Sequence, residues 1–318
     1  MSWRRTANSL LLRATGYSLT RPTPHERGDG SAAAPRKEQR ERRLAERRAE
    51  RATRVADAEA RRSAVRAERR AAAAAAGSQR EAHRRARLVA RFDEQLCSIV
   101  DRVQPQTMTS PEKIAALVEA TRYVSRHGIP GAVVECGVWR GGSMKAVALT
   151  LLDLGDTTRD LHLFDTFEGM PPPDANDART TEAGAVPAEE LLAASDKESL
   201  MWAVAGLDVV KETMAETDYP SERVHFHPGL VEDTTPEQAP DTIAILRLDT
   251  DWYASTKHEL EHLYHRLSPG GVLILDDYGG WDGARKATDE WLEQSGEPIF
   301  LAPMGAGRIA IKPLTNRA

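Results

Sequence analysis

The chain has 318 residues, 41 % of them hydrophobic, enough for a sizeable core in one large domain or two small ones, and it has no apolar run near the roughly 18 residues of a membrane-spanning helix. Its formal charge of −5 conceals two opposite segments: residues 1–90 hold 23 Lys or Arg against 10 Asp or Glu, a net of +13, and residues 91–318 hold 20 against 38, a net of −18. Two cysteines, Cys97 and Cys136, exclude a disulfide framework and fit buried thiols in a reducing, cytoplasmic setting.

The opening peptide, MSWRRTANSLLLRATGYSL, sets basic residues around a three-leucine patch too short for a secretion signal, and reads as a frayed terminus or a weak interfacial or docking helix. Residues 20–35, rich in Pro, Gly, Ser and Ala, read as linker. Residues 36–90 alternate Arg, Glu and Ala. Their propensities favour helix, and Glu38/Arg42 and Glu50/Arg54 are spaced for i,i+4 pairing. No sustained a/d repeat supports a coiled coil, so a solvent-exposed or fluctuating helix is expected. Without interleaved aromatics or a reading motif, nucleic acid is not an expected partner. A tether or solubilising arm, with weak contact to a membrane surface or a protein, is the expectation for residues 1–90.

From Arg91 the pattern changes. Leu96, Ile99, Val100 and Val103 recur at helical spacing until Pro105 stops them. Ser110 and Pro111 stand where an N-cap and a first helical residue belong, and Ile114, Leu117, Val118, Tyr123 and Val124 supply the apolar face of a second helix ending at Gly128. Residues 91–130 are therefore expected to form two helices covering a sheet edge or a ligand pocket.

Residues 131–143, GAVVECGVWRGGS, organise the rest. The apolar run Ala132-Val133-Val134 reaches Glu135, then passes through Gly137, Gly141 and Gly142 into a helix-compatible stretch beginning at Ser143. A buried strand, a glycine turn and a helix start let backbone N–H groups approach a ligand closely. The following strand, Leu161-His162-Leu163-Phe164-Asp165, ends in an acid 24 residues beyond Gly141, placed to accept hydrogen bonds from a nucleoside ribose. The alternative for Asp165 is a helix cap.

Residues 166–220 are long for one crossover. Up to 182 they read as an exposed loop, then as mainly helix anchored by Leu191, Leu192, Leu200, Trp202, Leu207, Val209 and Val210, together a lid over a ligand. Strands follow at 224–227, 241–249 and 272–275, the last after a Pro269-Gly270-Gly271 turn, with helices at 255–267 and 283–294 and a closing strand pair near 299–302 and 308–312. This alternation predicts an open, mainly parallel sheet with crossovers and a C-terminal antiparallel hairpin, with ligands beyond the carboxyl ends of the strands.

Asp249 ends one candidate strand, and Asp276 and Asp277 end its neighbour. Adjacent strands lie about 4.8 Å apart, so these carboxylates can converge, and a hard divalent cation such as Mg²⁺ relieves their repulsion. The bland alternative makes Asp276 a helix cap and Asp277 a partner of Arg285 or Lys286. A metal at this point lowers the pKa of a substrate hydroxyl, and a nucleoside cofactor across the crevice presents the electrophile. The turn lacks the GxGxxG spacing of a dinucleotide enzyme, so alkyl transfer to oxygen fits better than hydride transfer. The residues alone do not separate a methyl donor from other nucleosides.

Four stretches, VECGVWRGGSM (134–144), LFDTFEGMP (163–171), LRLDTDWYASTKHELEHLYHRLSPGG (246–271) and LILDDYGGWDGARKATDE (273–290), resemble the macrocin-type sugar O-methyltransferases, the TylF/MycF family of class I S-adenosylmethionine-dependent enzymes. The resemblance spans residues 105–312 and implies a Rossmann-like fold with a seven-stranded sheet. It implies an S-adenosylmethionine site at Glu135, Gly137, Trp139, Gly141 and Ser143, with Asp165 on the ribose, and Mg²⁺ held by Asp249, Asp276 and Asp277. It also implies a sugar or glycoside acceptor from antibiotic-type biosynthesis and a homo-oligomer. Asp249 and Asp251 are the catalytic candidates, Asp251 as proton acceptor, with Tyr253 or His225 to orient the acceptor and Arg308 to touch it; the alternative for Asp251, Tyr253, His225 and Arg308 is a purely structural role. A sugar-nucleotide transferase and a non-catalytic scaffold are the rival expectations.

Overall fold

The computed structural model describes the backbone of residues 33–314 except 183, 197 and 198. The opening peptide and most of the 20–35 linker lie outside the described residues. Two compact units divide the chain, Met1–Glu81 and Ala82–Ala318. Most of the first described stretch is α1, Ala33–Val89, a continuous helix of 57 residues. Its Ala, Arg and Glu content favours helix, an i,i+4 pair joins Arg42 to Glu46 at 3.5 Å, and Leu44, Val55 and Val65 remain exposed. This is the solvent-exposed helix expected from composition. No helix among the described residues is long and apolar enough to cross a membrane.

The second unit is built on a seven-stranded sheet in the order β5-β2-β1-β6-β7-β9-β8. Its strands are β1 (Ala132–Cys136), β2 (Leu161–Asp165), β5 (Val224–Pro228), β6 (Ile243–Leu248), β7 (Leu267–Leu275), β8 (Ala302–Met304) and β9 (Gly307–Ile311). The first five run parallel, and β9 joins β7 and β8 antiparallel. This is the expected Rossmann-like sheet with its C-terminal hairpin. Strand order reverses between β1 and β6, so their carboxyl ends open a crevice where ligands bind in such sheets.

The central strands β1, β6 and β7 bury both faces. Val133, Leu163, Ile245, Val272 and Ile274 face one core with α3 (Pro111–Arg126), α4 (Gly142–Asp153) and α6 (Leu207–Ala215). Val134, Cys136, Phe164, Leu246, Leu248 and Leu273 face the other, against α8 (Tyr253–Leu263) and α9 (Asp282–Ser295). The result is a three-layer α/β/α unit in which α2 (Glu94–Val103) packs on α3 and α4 through Leu96, Ile99 and Val103. Asp93 caps α2 by accepting from the Leu96 N–H at 2.7 Å, and Ser110 caps α3, with Pro111 in its first turn. Both cysteines are buried thiols outside any disulfide.

Three boundaries differ from expectation. Pro269-Gly270-Gly271 lies inside β7 rather than forming a turn before it: Ile243 pairs with Leu267 and Ile245 with Val272, so these residues form a bulge. The last strand pair begins at Ala302, with Pro303 on edge strand β8, where a missing N–H is tolerated. Within the 166–220 insertion, the hairpin β3 (Ala178–Thr181) and β4 (Gly184–Pro187), the short α5 (Ala188–Ala193) and a 3-10 turn precede α6. Gly184, Pro187 and Gly206 interrupt the helical pattern expected there.

Candidate active site

The site follows from strand parity. Glu135 on β1 pairs directly with Arg247 on β6, and Arg247 with Ile274 on β7. Asp249 lies two residues beyond Arg247 and Asp276 two beyond Ile274, so all four polar side chains project to the same face. The ladder continues past the strand ends: the Asp249 N–H donates to the Cys136 carbonyl and the Asp276 N–H to the Leu248 carbonyl, each at 2.9 Å. Gly137 is essential to this closeness. Its φ is +82°, and a Cβ there would overlap the Asp249 carbonyl oxygen.

Asp249, Asp276 and Asp277 each present one oxygen, and these atoms lie within 4.8 Å of one another. The trio is therefore assembled as expected, and neither bland alternative holds. The N-cap of α9 is Trp281, without a side-chain cap. Arg285 and Lys286 bond Tyr278 and Asn176 instead, while Asp277 Oδ2 accepts from the Asp251 N–H at 3.1 Å. Two cations enter that sequence reasoning did not place. Arg247 donates to Glu135 at 2.5 Å, Asp249 at 2.7 Å and Asp276 at 2.8 Å. Lys113 of α3 reaches Asp276 Oδ2 at 2.6 Å. An arginine within the otherwise apolar run of β6 was the available signal, because a buried guanidinium demands acids around it. Lys113 carries no comparable local mark.

Carboxyls outnumber these cations, and the titration behaviour reflects it. Burial, reinforced by Asp251 and Asp276, pushes Asp277 well up. Burial also raises Asp249, with Arg247 opposing. Against the cost of burial, Arg247 and Lys113 hold the Asp276 carboxyl below its usual range. Burial and the Asp249 charge push Asp251 up to about 7, and burial pushes Glu135 up to about 7 against the pull of Arg247. Hard oxygen donors with surplus negative charge fit a divalent cation of the magnesium or calcium type.

Asp249, Asp251, Asp276 and Asp277 line one wall of a cavity of about 590 Å³, within the usual range for a small-molecule site. Gly137, Trp139, Asp165, Thr166, Arg179 and Trp281 line it as well. Asp165 Oδ2 accepts from the N–H groups of Val138 and Trp139 at 2.7 and 2.9 Å, and Oδ1 from Phe167 at 2.7 Å. The carboxylate thus clamps the glycine turn and keeps acceptor capacity for a ribose hydroxyl. Trp139 and Asp251 adopt φ of +48° and +67°, and such strained conformations concentrate at ligand sites. The cavity wall does not include Glu135, Gly141 or Ser143. Glu135 lies behind it on Arg247, Gly141 faces Val210 and Thr213, and Ser143 is buried in the first turn of α4. Tyr253, His225 and Arg308 also lie off the wall. Tyr253 donates to Glu290 at 2.6 Å, His225 pairs with Asp160 on β5, and Arg308 covers the Tyr278 ring.

The family model of macrocin O-methyltransferase (TylF) matches residues 34–301. The chain belongs to the macrocin O-methyltransferase family. Like its family, it is an S-adenosylmethionine-dependent O-methyltransferase. The match takes in residues 34–104 as well as most of the 105–312 span that carries the sequence resemblance. Among relatives, 8-demethyl-8-(2,3-dimethoxy-alpha-L-rhamnosyl)-tetracenomycin-C 4'-O-methyltransferase of Streptomyces olivaceus is 34% identical over 227 residues, covering 66% of this chain and 80% of the relative. Mycinamicin III 3''-O-methyltransferase of Micromonospora griseorubida is 30% identical, covering 60% of this chain and 71% of the relative. The solved structure of the O-methyltransferase NovP is similar with a TM-score of 0.56 and 28% identity, covering 65% of this chain and 82% of that one. The macrocin O-methyltransferase fold thus accounts for the parallel sheet, the glycine turn and the crevice above it.

Proposed function

We propose that the enzyme methylates a hydroxyl of a small glycosylated or polyhydroxylated acceptor in natural-product biosynthesis, with magnesium held by Asp249, Asp276 and Asp277. The observation that carries this reading is the acid trio at the carboxyl ends of β6 and β7, on the same cavity as the glycine turn. Bound there, magnesium supplies a Lewis acid that lowers the pKa of the acceptor hydroxyl, and S-adenosylmethionine supplies the methyl group. Gly137, Trp139 and Asp165 shape the cofactor side of the cavity, while Glu135, Gly141 and Ser143 support the turn from behind. Asp251, pushed up to about 7, accepts the hydroxyl proton. Met108, Leu200 and Leu230 line the cavity yet stay exposed, which suits an acceptor whose sugar is joined to an apolar aglycone.

The names of the relatives support an acceptor sugar on a larger scaffold. A sugar nucleotide is less well served, because the cations of the described cavity wall are engaged, Lys113 by Asp276 and Arg179 4.2 Å over Trp281, rather than set as a clamp for a diphosphate. The same reading includes a cytoplasmic homo-oligomer in which residues 1–90 act as a tether. Labelled methyl transfer to matched glycosides, free aglycones and sugar nucleotides tests it. Label should enter the sugar of the glycosides, and label confined to sugar nucleotides or aglycones would overturn the acceptor assignment.

A further inference from the structure

Arg247 has more partners than a structural ion pair needs. Its guanidinium is buried, with Nη1 donating to Glu135 Oε1 at 2.5 Å and Asp249 Oδ2 at 2.7 Å. Nη2 donates to Asp276 Oδ1 at 2.8 Å and Thr109 Oγ1 at 2.9 Å. Two of these acids are the ones the magnesium reading assigns to the metal. The third, Glu135, stands directly opposite on β1, and its Oε2 is buried without a hydrogen-bond partner among the described residues. An arginine and a carboxylate commonly meet through two parallel bonds. Here Glu135 receives only one, because the guanidinium is turned toward Asp249 and Asp276.

We propose that Arg247 is an internal counter-ion that occupies Asp249 and Asp276 in the metal-free enzyme and retires onto both oxygens of Glu135 when a divalent cation takes those acids. The inference rests on the magnesium reading above. Arg247 holds one oxygen of Asp276 and Lys113 the other, so a metal ion that takes Asp276 Oδ1 displaces the guanidinium. The unused Glu135 oxygen gives the displaced guanidinium a second charge-assisted bond, on a neighbouring strand and without a change in backbone register. Lys113, bonded to the Asp276 carbonyl at 2.7 Å and to Oδ2 at 2.6 Å, holds Asp276 in place during the exchange. Arg247 is thus a positioning residue: it acts through the two acids and sets the affinity of the site.

The test uses the full chain and readouts that need no turnover: Mn²⁺ affinity by calorimetry, and melting temperature in Mg²⁺ and in EDTA. Arg247→Met should melt lower than wild type in EDTA and recover in Mg²⁺, with a metal-induced rise at least about 4 °C larger than in wild type. Its Mn²⁺ affinity should increase about tenfold, since a competing charge is gone. Glu135→Gln should move affinity the other way, weakening it about tenfold, because the guanidinium loses its second anionic partner. Should Arg247→Met fail to fold, Arg247→Lys takes its place and should bind Mn²⁺ more tightly than wild type, a single ammonium being unable to hold both acids. Arginine and glutamate variants that shift affinity in the same direction would overturn the exchange, as would arginine variants with wild-type affinity and wild-type metal-induced stabilisation. If wild type itself binds no divalent cation, the magnesium reading falls and takes this inference with it, an outcome distinct from failure in the variants alone.

Discussion

Among the described residues no cation pairs with Asp277: Lys113 and Arg247 bond Asp276, and Asp277 accepts from the Asp251 N–H. Replacing it by Asn keeps the shape and removes an anionic oxygen from the proposed magnesium site. Asp277→Asn should therefore lower methyl transfer by at least roughly 100-fold while S-adenosylmethionine affinity, measured by calorimetry, stays within about threefold. A second outcome concerns pH. Asp251 and Glu135 are both pushed up to about 7, above the ordinary carboxylate value. A raised folded-state value means that each contributes stability present below about pH 4 and lost as pH rises to about 7. Melting temperature in EDTA should fall across that interval, and Asp251→Asn should fall less steeply. Parallel profiles would contradict the assignment. At this scale the acids were legible in the sequence because each ends an apolar run. Lys113 was not, since only the packing of α3 against the sheet brings it there, and Asp165, expected to meet a ribose, is engaged by backbone N–H groups.

At the scale of elements, the crevice depends on two strand ends approaching without a side chain between them. Gly137→Ala forces a positive φ on alanine and a Cβ into the Asp249 carbonyl, costing at least about 1–2 kcal/mol. Cofactor affinity should fall with stability. Gly206→Ala, where a Cβ meets open space and φ is −68°, should change stability by no more than about 0.5 kcal/mol. Urea denaturation of the pair checks the contrast. The 166–220 insertion is fastened by Trp252 Nε1 donating to the Pro171 carbonyl at 2.9 Å and by Arg179 over Trp281. Trp281→Ala should raise the acceptor KM about tenfold with little change in cofactor affinity. Strands buried on both faces announce themselves by unbroken apolar runs, which is why β1, β2 and β6 were readable. The β3–β4 hairpin carries ARTT and GAVP, with largely exposed or half-exposed side chains and no core signal, so it was hidden in the expected loop and helix.

The whole molecule joins a long basic helix to an acidic catalytic unit, and the crevice lies entirely within the second of these. Deleting residues 1–81 should leave turnover on a soluble acceptor within about twofold, a tether being dispensable when the substrate diffuses freely. A large loss would give the arm a part in catalysis. The most direct measurement of metal-assisted transfer is the initial rate of the full-length enzyme, stripped with EDTA and then titrated with magnesium at saturating methyl donor and glycoside. The rate should rise from near background to a plateau at one ion per chain, with no recovery in Asp277→Asn. Full activity in EDTA, unchanged by added magnesium, would contradict a reaction that depends on a cation held by Asp249, Asp276 and Asp277.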